Sequence, residues 1–191
     1  MINENREMFN KADGVNIMID LMRDNDIFRH LGIKVLNYAL QDNENNCIQF
    51  IKGNGLCVLF PYFMCKGMNK VKNETKTLGI EYSIEIINNL LRYSKGVELD
   101  RVIYKFRENK SEKTKQLLQY YNQYNKEGKD IYIKRIICAI ISKLLKSEFN
   151  SHFTKLCEAN SINIEAVSNV LKAQIEESED SYKQYIKSLI N

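Results

Sequence analysis

The most constraining feature of this sequence is a stretch that occurs twice near its start. The first copy, NREMFNKADGVNIMIDLM, begins at Asn5, and the second, NCIQFIKGNGLCVLFPYF, begins at Asn46. The offset stays at 41 positions throughout (5 to 46, 14 to 55), which pairs Phe9 with Phe50, Lys11 with Lys52, Gly14 with Gly55, Val15 with Leu56, Ile17 with Val58, Met18 with Leu59, Ile19 with Phe60 and Met22 with Phe63. A period near 40 residues is typical of stacked helical repeats, in which each unit buries its apolar face on its neighbours.

Each copy predicts a short helix, a break at glycine and a second, strongly apolar helix. We expect Gly14 and Gly55 to define the repeat, because a sharp turn between helices often requires a positive φ, which glycine adopts at little cost. Pro61 falls within the first two turns after Gly55, where the loss of its backbone donor costs less. The segment between the copies predicts a longer helix, with apolar residues at helical spacing: Ile27, Leu31, Val35, Leu36 and Ala39. This order of helices is that of an armadillo repeat.

Beyond the second copy the sequence predicts helices without a repeat. A long helix is expected from about Thr77 to Tyr93, ended by Gly96, with Leu78, Tyr82, Ile86, Leu90 and Leu91 on one face. Further helices are expected at 97–107, 111–125, 131–146, 150–159, 163–176 and 180–190, and IYIKRIICAIISKLL should be their buried centre. We therefore predict an all-α, armadillo/HEAT-like helical solenoid. Residues 1–95 hold about two repeats, the first truncated, and residues 96–191 form a non-repeating helical capping region.

The composition agrees with an ordinary soluble chain. Of the 191 residues 44% are hydrophobic and 27% charged, and the net charge of +4 is mild for a nucleic-acid-binding module. No signal peptide or membrane-length apolar run is visible. The five cysteines are scattered and odd in number, so we expect reduced thiols of an intracellular protein, mostly in helix cores.

The first predicted helix has no capping sequence before it. A solenoid normally ends in a polar capping element, because each repeat buries one face on its neighbour. We therefore expect that the chain is cut from a longer array. The alternative is self-association through an open N-terminal face.

Several runs resemble the beta-catenin-like protein 1 family in its C-terminal region. Residues 34–64, KVLNYALQDNENNCIQFIKGNGLCVLFPYFM, share a D-N-C-x-x-F segment, a G-L turn and an F-P-x-F-M helix with that family. KFRENKSEKTKQLLQYY at 105–121 resembles its KF-x-EN-x-SEK segment, and GVNIMIDLM at 14–22 resembles its preceding repeat. The resemblance implies a nuclear scaffold without enzymatic activity, associated with the spliceosome through a Prp-nineteen-type complex of splicing factors. The family is similar to importins and binds basic, nuclear-localisation-like segments.

The importin-like architecture implies which residues contact a partner. Importin-type repeats present a Trp and an Asn four residues apart on the third helix. Aligning LNYAL with that pattern places Lys34 and Tyr38 at these positions, and Glu85 and Asn89 in the next repeat. These four are the candidate protein-contact residues. Of the four, only Asn89 matches the importin pattern, and Lys34 would repel a cation. We therefore expect the main site for basic peptides in N-terminal repeats outside this chain.

The alternative function is a helical RNA-contacting domain that uses the basic stretch 105–115. The stretch interleaves Lys105, Arg107, Lys110, Lys113 and Lys115 with Glu108 and Glu112, which favours an ion-paired helix junction over an RNA track. Three nearby aromatic residues could stack on bases, but their spacing favours packing: Tyr120, Tyr121 and Tyr124.

The sequence contains no set of residues that would support an enzymatic activity. His30 and His152 are the two histidines, and neither has a neighbour at a metal-ligand spacing. We expect His30 on the surface of its helix, and no metal, cofactor or membrane partner. KGNG at 52–55 is explained by the repeat turn, since no phosphate-loop lysine follows it.

Overall fold

The computed structural model describes residues 3–24, 26–68 and 71–190. These residues form helices and no strand, which confirms the all-α class. The helices are α1 (Asn3–Lys11), α2 (Gly14–Asp24), α3 (Asp26–Leu40), α4 (Glu44–Lys52), α5 (Leu56–Phe63), α6 (Asn73–Tyr93), α7 (Gly96–Tyr124), α8 (Ile131–Leu145), α9 (Asn150–Ala159), α10 (Ile164–Ile175) and α11 (Asp180–Ile190). None of the described helices is long and apolar enough to cross a membrane.

The chain divides into two compact units, Met1–Val102 and Ile103–Asn191. The first unit contains the predicted repeats, α1 to α3 and α4 to α6. In each repeat the second helix packs on the third, and α3 lies against α6 of the next repeat. The burial pattern repeats with the sequence, because the same three positions of both copies are buried: Val15, Ile19 and Met22, and Leu56, Phe60 and Phe63. The division at residues 95 and 96 made from the sequence stays a prediction.

The reason for the two repeat glycines differs from the prediction. The residues before them take the left-handed conformation, Asp13 with φ 56° and Asn54 with φ 62°. Gly55 itself is right-handed, with φ −57° and ψ −26°. A Cβ at Gly14 would lie 2.6 Å from the Phe9 ring, and a Cβ at Gly55 would collide with the Phe50 ring in the same way. The glycines are therefore required by the close approach of an aromatic ring.

The third helix of the second repeat is longer than predicted. It begins at Asn73, four residues before the expected Thr77. Glu74 lies in its first turn, where a negative charge is favourable at the positive end of the helix dipole. Pro61 lies inside α5, which ends two residues later at Phe63.

In the second unit α8 is the central helix, as predicted, and packs against α9, α10 and α11. Most of its residues are buried: Ile133, Ile136, Ile137, Cys138, Ala139, Ile140, Ile141, Ser142 and Leu144. The Asn163 side chain accepts a hydrogen bond from the Ala166 amide (3.1 Å) and caps α10.

Helix α7 is broken between residues 108 and 111, where the sequence predicts a boundary between two helices. Glu108 has ψ 161°, and Asn109, Lys110 and Ser111 follow with φ of 52°, 55° and 59°. The Thr114 hydroxyl donates to the Phe106 carbonyl (2.8 Å) across the break. No glycine or proline lies within this left-handed turn. It is held by the Thr114–Phe106 hydrogen bond and by the contact of Ser111 with His152.

Candidate protein-interaction face

Helices α3 and α6 run side by side in the same direction. Just beyond the C-terminal end of α3, Asp42 accepts from Arg92 (2.8 Å), which lies near the C-terminal end of α6. In the middle the Asn37 amide donates to the Glu85 carboxylate (2.9 Å). The residue numbers of these facing pairs differ by 50 (92 minus 42) and 48 (85 minus 37). A nearly constant difference means that the two third helices are parallel and in register.

The structure brings together two of the four predicted contact residues. Tyr38 is 40% exposed and its ring lies 6.5 Å from that of Tyr82, while Glu85 is half-buried on the adjacent turn of α6. Lys34 is exposed, one turn before Tyr38 on the same helix. Asn89 is only 8% exposed, and its amide donates to the Glu85 backbone carbonyl (3.1 Å). The geometry therefore favours Lys34, Tyr38 and Glu85 as contact positions over Asn89.

Three further residues of this face were assigned by their spacing to the apolar sides of the helices. Leu31 is 62% exposed and Leu78 is 50% exposed, while Tyr82 is half-buried. Leu31 lies two turns before Tyr38, and Leu78 lies two turns before Glu85. Helical spacing alone identifies an apolar face, but it does not show that the edge of that face reaches solvent.

The electrostatic environment of the face is negative at its aromatic end. The pKa of Tyr82 is raised, first by burial and then by Tyr38, Glu85 and Glu81. Charges that disfavour ionisation of a phenol favour a neighbouring cation. This end of the face is therefore suited to a lysine or arginine side chain.

His30 lies beneath this face and departs from the expectation of a surface residue. It is half-buried, its Nδ1 contacts the Tyr62 hydroxyl, and the two rings meet edge to face with centroids 5.5 Å apart. Burial, followed by Cys65, raises the pKa of Tyr62 to about 12. The pair is a packing contact that joins the two repeats.

The basic stretch 105–115 is partly neutralised by internal ion pairs. The Glu108 carboxylate binds Lys105 (3.2 Å) and Lys113 (2.9 Å), and Lys113 is buried. Burial alone would raise the pKa of Glu108, but the two lysines outweigh it and hold the pKa below its usual value. The predicted ion-paired junction is thus present, although Lys110 and Lys115 stay exposed.

The three tyrosines considered for base stacking are buried, at 3–4% exposure: Tyr120, Tyr121 and Tyr124. The prediction that they pack is confirmed, and none presents a face on which a base could stack.

In the part of the chain that the structure describes, the other chemistry-bearing groups do not converge on a reaction site. Ser111 Oγ lies 3.3 Å from His152 Nε2, and Ser111 is only 2% exposed. Among the described residues no group of His, Cys, Asp or Glu could hold a metal ion. None of the five cysteines forms a disulfide bond, and three are buried: Cys47, Cys138 and Cys157.

An open groove of about 500 Å³ in the first unit has a mainly polar lining: Asn10, Asn16, Asn45, Ile48, Gln49, Lys52 and Gly53. Asn10 and Gln49 hydrogen-bond each other across it (2.6 Å). Its lining contains no nucleophile and no carboxylate.

Three-helix repeats stacked through parallel third helices define an armadillo-type protein. The sequence model of the family "Catenin-beta-like, Arm-motif containing nuclear" matches residues 1–191, and the chain belongs to this family. The resemblance noted from its motifs is thereby confirmed, and the helical-solenoid prediction fits the family.

Curated relatives agree with this assignment. The chain is 34% identical over 128 residues to "Beta-catenin-like protein 1" of Bos taurus, Rattus norvegicus and Homo sapiens. The match covers 65% of this chain and 23% of each relative. The chain thus spans less than a quarter of the length of these relatives.

Proposed function

We propose that this chain is a non-enzymatic interaction segment of a nuclear armadillo-type protein. In this proposal it contributes to a pre-mRNA splicing assembly, and its partners are splicing factors of a Prp-nineteen-type complex. The observation that carries it is the exposed face of the two parallel third helices, where Tyr38 and Glu85 lie close together. Residues 1–95 supply this face.

Membership of an armadillo family described as nuclear supports the compartment and the class of partner. Such repeats bind through extended helical faces, and the function lies in the residues of that face. The role in splicing and the partners come from the resemblance, so they require a direct test.

The test uses the chain as bait in nuclear extract from its source, at two salt concentrations and with or without nuclease. Bound proteins are identified by mass spectrometry. We expect to recover splicing factors whose binding resists nuclease. The double variant Tyr38→Ala, Glu85→Gln should no longer bind them. Lys155→Ala, at an exposed position of α9, is the matched control and should retain them.

Two results would contradict the proposal. If the bound material is released by nuclease and by high salt, the RNA-contacting function of residues 105–115 replaces it, because phosphate contacts weaken steeply with ionic strength. If the double variant retains every splicing factor, the partner does not bind at the α3–α6 face.

A further inference from the structure

The α3–α6 face has two chemically different ends. We define it by Leu31, Lys34 and Tyr38 on α3, and by Leu78, Glu81, Tyr82 and Glu85 on α6. The Asn37–Glu85 hydrogen bond and the Tyr38–Tyr82 ring contact join the two helices at one end of this face, and Leu31 and Leu78 each lie two helical turns before that end. The face thus changes from apolar to aromatic and acidic along the helix axis.

The apolar end is exposed where most large apolar residues of the first unit are buried. Leu31 and Leu78 leave 62% and 50% of their surfaces in solvent. Covering such surface removes apolar area from water, which is the main favourable term in association. A partner residue placed here gains most if it is large and apolar.

The other end favours a single positive charge. Glu85 and Tyr82 lie beside Tyr38, and the raised pKa of Tyr82 follows from burial together with these neighbours. A guanidinium or ammonium group can pair with the carboxylate and lie over a tyrosine ring.

The middle of the face limits how many charges a ligand can carry. Lys34 is exposed there, and within the described chain its ammonium group has no hydrogen-bond or ion-pair partner. A second cation bound between the two ends would meet this ammonium as well as Glu81, and a cation at the apolar end would meet two leucines. Only the Glu85 end offers a carboxylate away from this ammonium. A continuous basic run therefore suits only one end of the face.

We propose that the α3–α6 face binds a protein segment with one large apolar side chain and one lysine or arginine about 10 Å apart, the rise of two helical turns. This separation corresponds to seven residues in a helical ligand or three in a polyproline II ligand, whose side chains return to the same side every third residue. The inference rests on the proposed function and specifies its ligand. It also distinguishes this face from a site for uniformly basic peptides.

The test titrates the isotope-labelled full chain with three unstructured synthetic peptides of equal length, which populate polyproline II, and follows its NMR resonances. The mixed peptide has leucine and arginine three residues apart in a Gly/Ser background. The second has lysine and arginine throughout, and the third has the leucine with glutamine for arginine. We expect the mixed peptide to bind most tightly and to shift resonances of Leu31, Leu78 and Glu85.

Single-residue variants test which end of the α3–α6 face binds the leucine and which binds the arginine. Leu78→Ser should weaken the mixed peptide about tenfold, as expected for losing one buried leucine contact. Glu85→Gln should remove its preference over the glutamine peptide. Val97→Ser, at a position 71% exposed outside the face, should leave binding unchanged. Circular dichroism checks that each variant is folded.

The inference is overturned if the basic peptide binds more tightly than the mixed one, or if no peptide shifts the NMR resonances of residues of the face. If splicing factors remain bound in the extract experiment while the peptide order is reversed, the inference fails and the proposed function stands. If the mixed peptide binds as expected but no splicing factor is retained, the proposed function fails and the ligand chemistry stands.

Discussion

Replacing Lys110 by glycine tests the left-handed turn that breaks α7. Lys110 is exposed and has φ 55° and ψ 33°, a conformation in which the Cβ of an L-residue crowds the backbone. Lys115 is also an exposed lysine of α7, but it lies in the helical part after the break. The same substitution at these two positions should therefore have opposite effects on the free energy of unfolding.

The magnitudes follow from the two backbone conformations. At Lys110 glycine relieves roughly 1–2 kcal/mol of left-handed strain. The greater freedom of glycine in the unfolded chain offsets about 0.5–1 kcal/mol of this gain. The net stabilisation is therefore roughly 0–1.5 kcal/mol. At Lys115 no strain is relieved, and glycine costs about 0.5–1 kcal/mol of helix propensity.

Thermal unfolding followed by far-ultraviolet circular dichroism measures both effects. For a chain of this length 1 kcal/mol corresponds to roughly 2–4 °C. We expect Lys110→Gly to raise the melting temperature and Lys115→Gly to lower it. If both variants lower it equally, the chain is helical through residue 110 in solution and the argument for a strained turn is wrong.

Three other predictions concern the repeat turn, an ion pair and a thiol. Gly55→Ala should destabilise the first unit by about 1–3 kcal/mol in denaturant titrations because its Cβ overlaps the Phe50 ring, whereas Asn54→Gly, at the left-handed position, should not. The depressed pKa of Glu108 stabilises the folded state above the unfolded value of 4.5, and this contribution is lost as the pH falls through the folded value. Glu108→Gln should therefore destabilise the protein at pH 7 more than at pH 3, and equal losses would contradict the ion-pair assignment. Cys57 is exposed and should react with a thiol reagent in the native state, before the buried cysteines; simultaneous labelling would show that the fold opens first.

The helical repeat could be read from the sequence because its signal is local and occurs twice. Aligned copies such as Phe9 with Phe50 and Gly14 with Gly55 specify the same turn and the same buried positions, whatever lies around them. The physical role of the glycines could not be read in this way. A turn that needs positive φ and a turn that needs space for a ring both place glycine near the break.

The candidate face was only partly predictable. Sequence alignment indicated Lys34, Tyr38, Glu85 and Asn89, but it could not show that the Asn89 amide bonds to its own helix. Helical spacing placed Leu31 and Leu78 with the apolar residues, although both are largely exposed. Exposure depends on how far a neighbouring helix extends, and that is a property of the packed repeats.

The sequence by itself determined the all-α class, the 41-residue repeat and the order of helices, because periodicity and turn residues act within a few positions of the chain. Only the tertiary structure decided where the left-handed residues lie, which apolar side chains reach solvent, and that Tyr38 and Glu85 come close together. The last two features depend on packing between helices, as in the contact of Asn37 with Glu85, 48 positions away. No pattern along a single helix encodes such contacts.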